Sequence, residues 1–237
     1  MNRMAELGYE MTPLGELVLR RRAEPLLGGE IVYEVKLGDE YLMSSLFTEA
    51  ERQLAKLGLI GLEGELDVVV GGLGLGYTTA EALKEKNVSR LLVIELFQAV
   101  IDWHERGLLP VSEAIVNDSR CELRQGDFFE LVRVGLDAQA PGRKFDAVLV
   151  DIDHSPEHFL DKRNGSFYTA EGLAAVRDQL KPGGYFALWS NDHGSEEFSE
   201  RLRDVFGEAR FENVEFPNPY SGKPAVNSVY IASPAGR

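Results

Sequence analysis

The apolar positions of this chain fall into two regimes. Between residues 16 and 44 they alternate loosely with polar ones: Leu17 and Leu19, then Ile31, Tyr33 and Val35, then Tyr41 and Met43. With Gly28-Gly29 and Gly38-Asp39 as turns, that period of two predicts short antiparallel strands. From Phe47 onward helical and fully apolar runs take over. Phe47, Ala50, Leu54 and Leu57 recur at helical spacing, and Thr48 with Glu51 has the T-x-x-E form of a capping box, so a helix is expected from there to Leu59. Val68, Val69 and Val70 read as a strand covered on both faces, as in a parallel sheet.

The remainder alternates strand and helix. Tyr77 to Lys86 predicts a helix, Leu91 to Glu95 a strand, Ala99 to Glu105 a helix, Cys121 to Leu123 a short strand, and Phe145 to Val150 another. Asp127 is placed to cap a helix running through Val132. Leu173, Val176 and Leu180 mark a helix closed by Lys181-Pro182-Gly183-Gly184, followed by a strand over Tyr185 to Trp189 and a helix around Phe198 to Phe206. Phe211 to Phe216 and Val226 to Ile231 suit an antiparallel hairpin at the sheet edge, with an irregular stretch from Pro217 to Pro224 between them. This βαβα order, with right-handed crossovers, predicts an α/β fold with helices on both faces of a mostly parallel sheet. Two segments are expected: an N-terminal β-strand region over residues 1–46 and an α/β domain over 47–237.

Candidate chemistry gathers at strand ends. The strand through Val70 breaks into Gly71, Gly72, Gly74 and Gly76 before the helix at Tyr77, a turn in which a ligand can approach bare backbone and meet the positive end of a helix. The glycines read G-x-G-x-G; neither the dinucleotide fingerprint nor a phosphate-binding loop can be laid on them. Glu95 closes the next strand, 19 residues beyond Gly76, where nucleoside-binding sheets place an acid for the ribose hydroxyls. Asp127 followed by Phe128 suits an adenine amine and ring, and Asp151-Ile152-Asp153-His154 puts three ionisable groups at the carboxyl end of a central strand. The polar segment from Glu157 to Gly165 reads as a flap over that site.

Composition narrows the partners. A formal net charge of -14 argues against nucleic acid. No apolar run approaches the roughly 20 residues a membrane helix needs, and the first ten residues lack a signal-peptide core, so a cytoplasmic protein without membrane contact is expected. Cys121 is the single cysteine, which rules out an internal disulfide. Asp151, Asp153, His154 and His158 lack a recognised ligand spacing, so no metal is expected.

Together these motifs resemble the spermidine synthase (polyamine aminopropyltransferase) family, built on the Rossmann-like fold of S-adenosylmethionine-dependent methyltransferases. The stretches that carry the likeness are GGLGLG, VIELFQAVI around Glu95, GDFFEL around Asp127, VLVDIDHSP with FYTAEGLAAVRDQLKPGG, and PYSG at Pro219 to Gly222. The resemblance implies a doubly wound, mostly parallel seven-stranded sheet with a small N-terminal antiparallel β region. It implies aminopropyl transfer from decarboxylated S-adenosylmethionine to a diamine or polyamine, in a homodimer or tetramer. Gly71, Gly72, Gly74, Gly76, Glu95, Asp127 and Phe128 would hold the donor. Asp151 would orient the attacking amine and accept its proton, with Asp153 beside it; His154, Glu49 and Tyr220 would contact the acceptor.

The chain departs from the family where amines are read. The glycine loop carries Gly74 where the family has an aspartate, His154 stands at the position of the second catalytic-loop acid, and the His-Glu pair of the first helix is represented by Thr48-Glu49. Two alternatives therefore accompany the resemblance: methyl transfer from S-adenosylmethionine to another acceptor, and a nucleoside-binding homologue without catalysis.

Overall fold

The alternation at the start of the chain folds as an antiparallel meander. In the computed structural model, which describes residues 4–234, β1 (Met4–Thr12), β2 (Gly15–Glu24), β3 (Glu30–Leu37) and β4 (Glu40–Ser44) each pair with the next. β1 was not expected: a bulge between Glu6 and Gly8 breaks its period of two. Leu17, Leu19 and Val35 are buried on the inner face of this sheet, while Arg20 and Arg22 bond Glu34 on the other. Residues 1–3 and 235–237, the outer ends of the two expected segments, lie outside the described residues.

Helix α1 (Glu49–Leu59) follows, with Ala50, Leu54 and Ala55 buried. The anticipated capping box does not form. Thr48 has φ -126° and ψ 5°, outside the extended geometry a side-chain cap needs, and its hydroxyl accepts from Arg52 Nε at 3.4 Å instead. That leaves Glu51 free of the helix end.

A seven-stranded sheet forms the body of the molecule. Its strands are β5 (Leu66–Gly71), β6 (Val88–Glu95), β7 (Cys121–Gln125), β8 (Phe145–Val150), β9 (Leu180–Ser190), β10 (Gly207–Phe216) and β11 (Ala225–Pro234). They lie in the order β10-β11-β9-β8-β5-β6-β7, and only β11 runs against its neighbours. Side chains alternate between two cores. Val68 and Val70 face the side of α1, α2 (Tyr77–Ala82) and α3 (Gln98–Glu105), whereas Val69 faces α5 (Phe128–Val134), α6 (Ala170–Arg177) and α7 (Glu196–Phe206). A short helix over Ser112–Val116, α4, was not foreseen.

One boundary moved. Leu180 was counted with the helix before it, but α6 stops at Arg177 and Leu180 opens β9, opposite Phe145. Gln179 explains the stop: its side-chain amide donates to the carbonyls of Val132 and Ala175 and accepts from Leu136 N, so it serves the helix ends rather than extending a helix.

The topology places a site. β5 sits between β6 and β8, and the chain runs to one side of β5 first and to the other later. At such a reversal the loops above the carboxyl ends of the strands diverge and leave a crevice.

Candidate functional site

Two chambers open above the tip of β5, and they meet at Met43, Gly74 and Asp151. The first is lined mostly by apolar atoms, as small-molecule sites generally are. The N-terminal sheet contributes Leu17, Val35, Leu42 and Met43 to its wall; the main sheet contributes the glycine loop, Glu95, Asp127 and Phe128.

The four glycines divide by function. Gly72 and Gly74 line this chamber with φ of 90° and 50°. Gly71 is glycine for packing, since a Cβ there would lie 2.7 Å from the Phe128 ring; a Cβ on Gly76 would meet Ile115 and His104 at 2.6 and 2.7 Å. Glu95 holds the loop in shape. Its Oε2 accepts from Leu73 N at 2.9 Å and Gly74 N at 3.4 Å, and its Oε1 from Phe97 N at 2.9 Å. Burial raises its pKa, and those amides oppose the rise. Asp127 Oδ1 caps α5 through Phe129 N and Glu130 N, so its expected capping role is present alongside its place in the chamber wall.

His104 is a loop-holding residue that the sequence did not single out. Its Nε2 lies 2.9 Å from the Gly74 carbonyl and its Nδ1 3.2 Å from Ser112 Oγ, the pattern of a neutral ring donating to the carbonyl and accepting from the hydroxyl. Burial lowers its pKa, which keeps it neutral. A histidine in the last turn of a helix carries no sequence signal for such a role.

The second chamber is polar. Asp151, Glu51, His154, Asn191, Trp189 and Tyr77 face it. Asp151 Oδ2 accepts from Thr78 Oγ1 at 2.7 Å, and that hydroxyl also lies 3.2 Å from the Glu51 carbonyl, which ties β8, α1 and α2 together at this point. Burial pushes Asp151 up to about 6. Burial, with the charge of Asp151 added, pushes Glu51 up to about 8. The two therefore titrate as one unit that holds a proton near neutral pH. Glu51 was read as a capping residue; only the fold brings it to Asp151.

Other expected residues go elsewhere. Asp153, expected beside Asp151 in catalysis, is buried and lines neither chamber. Its Oδ1 accepts from Leu160 N and Asn164 Nδ2, both at 2.8 Å, and its Oδ2 from Tyr168 Oη at 3.0 Å. It anchors the segment after β8, whose residues Leu160, Asp161, Arg163 and Asn164 line the apolar chamber. Glu49 is exposed and accepts from Gln53 on its own helix, because the turn of α1 that faces the chamber carries Glu51. The Tyr220 hydroxyl bonds Arg22 and Glu24 of the N-terminal sheet, and Tyr220 lines a surface cleft that adjoins the polar chamber at Leu42, Met43, Ser44 and Phe47. At the junction of the chambers, Met43 Sδ lies 2.9 Å from where a Cβ on Gly74 would be, so a thioether fills the space of a loop acid. Asp151, Asp153, His154 and His158 do not converge, and among the described residues no group of three or more His, Cys, Asp or Glu is arranged to hold a metal.

The anchoring role of Asp153 has a measurable consequence. Asp153→Ala strips three hydrogen bonds, one from a buried tyrosine hydroxyl, and is expected to cost about 2–4 kcal/mol of stability. Denaturant unfolding should show that loss, with faster amide exchange over residues 157–165 and weaker nucleoside binding. Wild-type stability with loss of turnover alone would return Asp153 to a catalytic role.

Comparison with known proteins places these features. Residues 49–221 match the profile of the spermine/spermidine synthase domain. A polyamine aminopropyltransferase of Pyrobaculum aerophilum is 27% identical over 148 residues, covering 62% of this chain and 49% of that protein. Putrescine N-methyltransferase 2 of Nicotiana attenuata is 26% identical over 144 residues, covering 59% of this chain and 36% of that one. The chain thus spans about half the length, or less, of these two relatives. A crystal structure of a spermidine synthase in complex with the transition-state analogue AdoDATO superposes with a TM-score of 0.75 at 20% identity, covering 98% of this chain and 74% of that one. That likeness is one of fold.

Proposed function

The chain belongs to the spermine/spermidine synthase domain family, and from that premise we propose that it transfers an aminopropyl group from decarboxylated S-adenosylmethionine to a diamine or polyamine. One observation carries the reading: an apolar, glycine-floored chamber and an acidic, polar chamber share a wall in which Asp151 is the charged residue. A nucleoside fits the first and a polycation the second, with their reactive ends brought together at the junction.

The residues fit the donor. Gly72 and Gly74 leave backbone bare where a nucleoside would lie, Glu95 stands at the next strand tip for ribose, and Asp127 with Phe128 forms the wall for adenine. The donor supplies a carbon bound to cationic sulfur; the amine lone pair forms the C–N bond as the C–S pair leaves with sulfur, giving a neutral thioether. Asp151 holds the acceptor's ammonium at the junction and orients its nitrogen. His154 and Asn191 line the far side, where the rest of the acceptor would lie. Residues 1–46 act in this reading as a lid on the α/β domain of 47–237. A cytoplasmic homo-oligomer is part of the same proposal; Met4, Tyr9 and Met11, exposed on β1, offer surface for such an assembly to cover.

The test is product analysis. The protein is incubated with either decarboxylated or intact S-adenosylmethionine and a panel of putrescine, spermidine and 1,3-diaminopropane. Release of methylthioadenosine with the decarboxylated donor is expected. Release of S-adenosylhomocysteine alone would establish methyl transfer instead, and donor binding without either product would leave a non-catalytic nucleoside-binding protein.

A further inference from the structure

Resting on the transfer reaction proposed above, we infer that Glu51 is a further catalytic residue: the second carboxylate of the polar chamber, and the one that takes the proton from the acceptor's ammonium. The geometry singles it out. Of the acids expected near the amine, Glu49 faces solvent, Asp153 is spent on anchoring a loop, and position 74 has no side chain. Only Glu51 and Asp151 bring carboxylates to the chamber wall.

Glu51 is held only by its own backbone N–H, from which its carboxylate accepts, and by the field of Arg52. Among the described residues its carboxylate has no ion-pair partner, because the adjacent cation is engaged elsewhere: Arg52 Nη1 lies 3.1 Å from Glu81 and its guanidinium sits 4.8 Å over the Tyr77 ring.

The charged and titratable groups around Glu51 are Asp151 at the end of β8, Glu49 and Arg52 on its own helix, and Tyr77 on α2; His154 shares the chamber. Asp151 is the largest charge acting on Glu51, after burial, and both carboxylates are pushed above the ordinary range, so the pair shares a proton. Asp151 is engaged by the Thr78 hydroxyl at the junction and holds the ammonium there, which leaves Glu51 to receive the proton. The acceptor enters as R–NH₃⁺ and gives one proton to ionised Glu51. The freed lone pair forms the C–N bond while the C–S pair leaves with sulfur, the new amine carries the positive charge, and Glu51 returns its proton to water through the open chamber. In the free protein the pair holds a proton near neutral pH, so a bound ammonium must displace that proton first.

Displacement can be counted. Calorimetry of spermidine binding to the full chain, near neutral pH in buffers of different ionisation heat, is expected to show close to one proton released. Glu51→Gln should abolish the release, keep donor affinity, and lower kcat/KM for the amine by about tenfold to a hundredfold. The acid limb of its pH profile should move from near 8 to near 6, leaving Asp151 as the titrating group. Glu51→Asp should recover the release and part of the rate. Full release and an unmoved limb in Glu51→Gln would overturn the assignment. If that variant does not fold, the unmodified chain decides: polyamine binding without proton release overturns it as well. A wild-type chain that transfers nothing from either donor would bring down the transfer reaction itself, a failure visible before any variant is made.

Discussion

Replacing Asp151 by asparagine is expected to cut group transfer by about 10²- to 10⁴-fold while donor affinity stays within about threefold. Asparagine keeps the volume of the side chain and an oxygen for the Thr78 hydroxyl, 2.7 Å away in the wild type. The strand tip is held by backbone, with Asp151 N donating to the Gly71 carbonyl at 2.8 Å, so the glycine floor should not move. What goes is the negative charge on the wall that both chambers share. The amine then loses the contact that orients it. Steady-state kinetics at saturating donor, paired with donor calorimetry, separates the two effects. Undiminished turnover would remove Asp151 from the reaction.

The sign of the pH dependence follows from the same pair. Both carboxylates titrate above the ordinary range because burial disfavours their charged forms, and only an ionised carboxylate can grip an ammonium or receive its proton. Transfer in the wild type should therefore rise as pH passes from about 6 to about 8. A rate that falls across that interval would mean a protonated acid is required.

The fold was legible because its signals are local. Three consecutive valines shielded on both faces, glycines directly after them, and an acid at the next strand tip all report on a few adjacent residues, and the structure sets them side by side. The seven strands were readable for the same reason, as apolar runs between turns. β1 and the end of α6 were not, since a bulge hides the period of one and a glutamine side chain stops the other.

The amine side of the site resisted reading because its meaning is tertiary. Thr48 and Glu51 satisfy a capping pattern in one dimension, yet the backbone at Thr48 refuses the cap and the fold places Glu51 against the charge of Asp151. Asp153 sits two positions from Asp151, so in a strand it shares its face, but the chain leaves the sheet at Val150 and turns Asp153 toward Tyr168. Met43 lies thirty-one positions before Gly74, and nothing in either segment announces that one occupies the space of the other's missing side chain.

Gly72→Ala should abolish donor binding and lower the melting temperature, and it probes the floor on which the whole site rests. Gly72 has φ of 90°, a conformation that costs an alanine about 1–3 kcal/mol. Its Cβ would also lie 2.2 Å from the Asp151 carbonyl oxygen and 3.0 Å from the carbonyl carbon. Both are backbone atoms at a strand tip, so no rotamer change relieves the contact; β5 and β8 must part, and the Asp151 side chain moves with its main chain. A total cost of about 3–5 kcal/mol corresponds to a fall of roughly 6–20 °C for a chain of this size. Gly107→Ala is the control: φ is 68° there and no atom lies within 4 Å of the added Cβ, so it carries only the conformational cost, about 1 kcal/mol, and should bind donor normally. Thermal melts and donor calorimetry on both variants separate backbone strain from the clash. Equal losses at the two positions would mean that the close approach of Gly72 to Asp151 is not what holds the two chambers together.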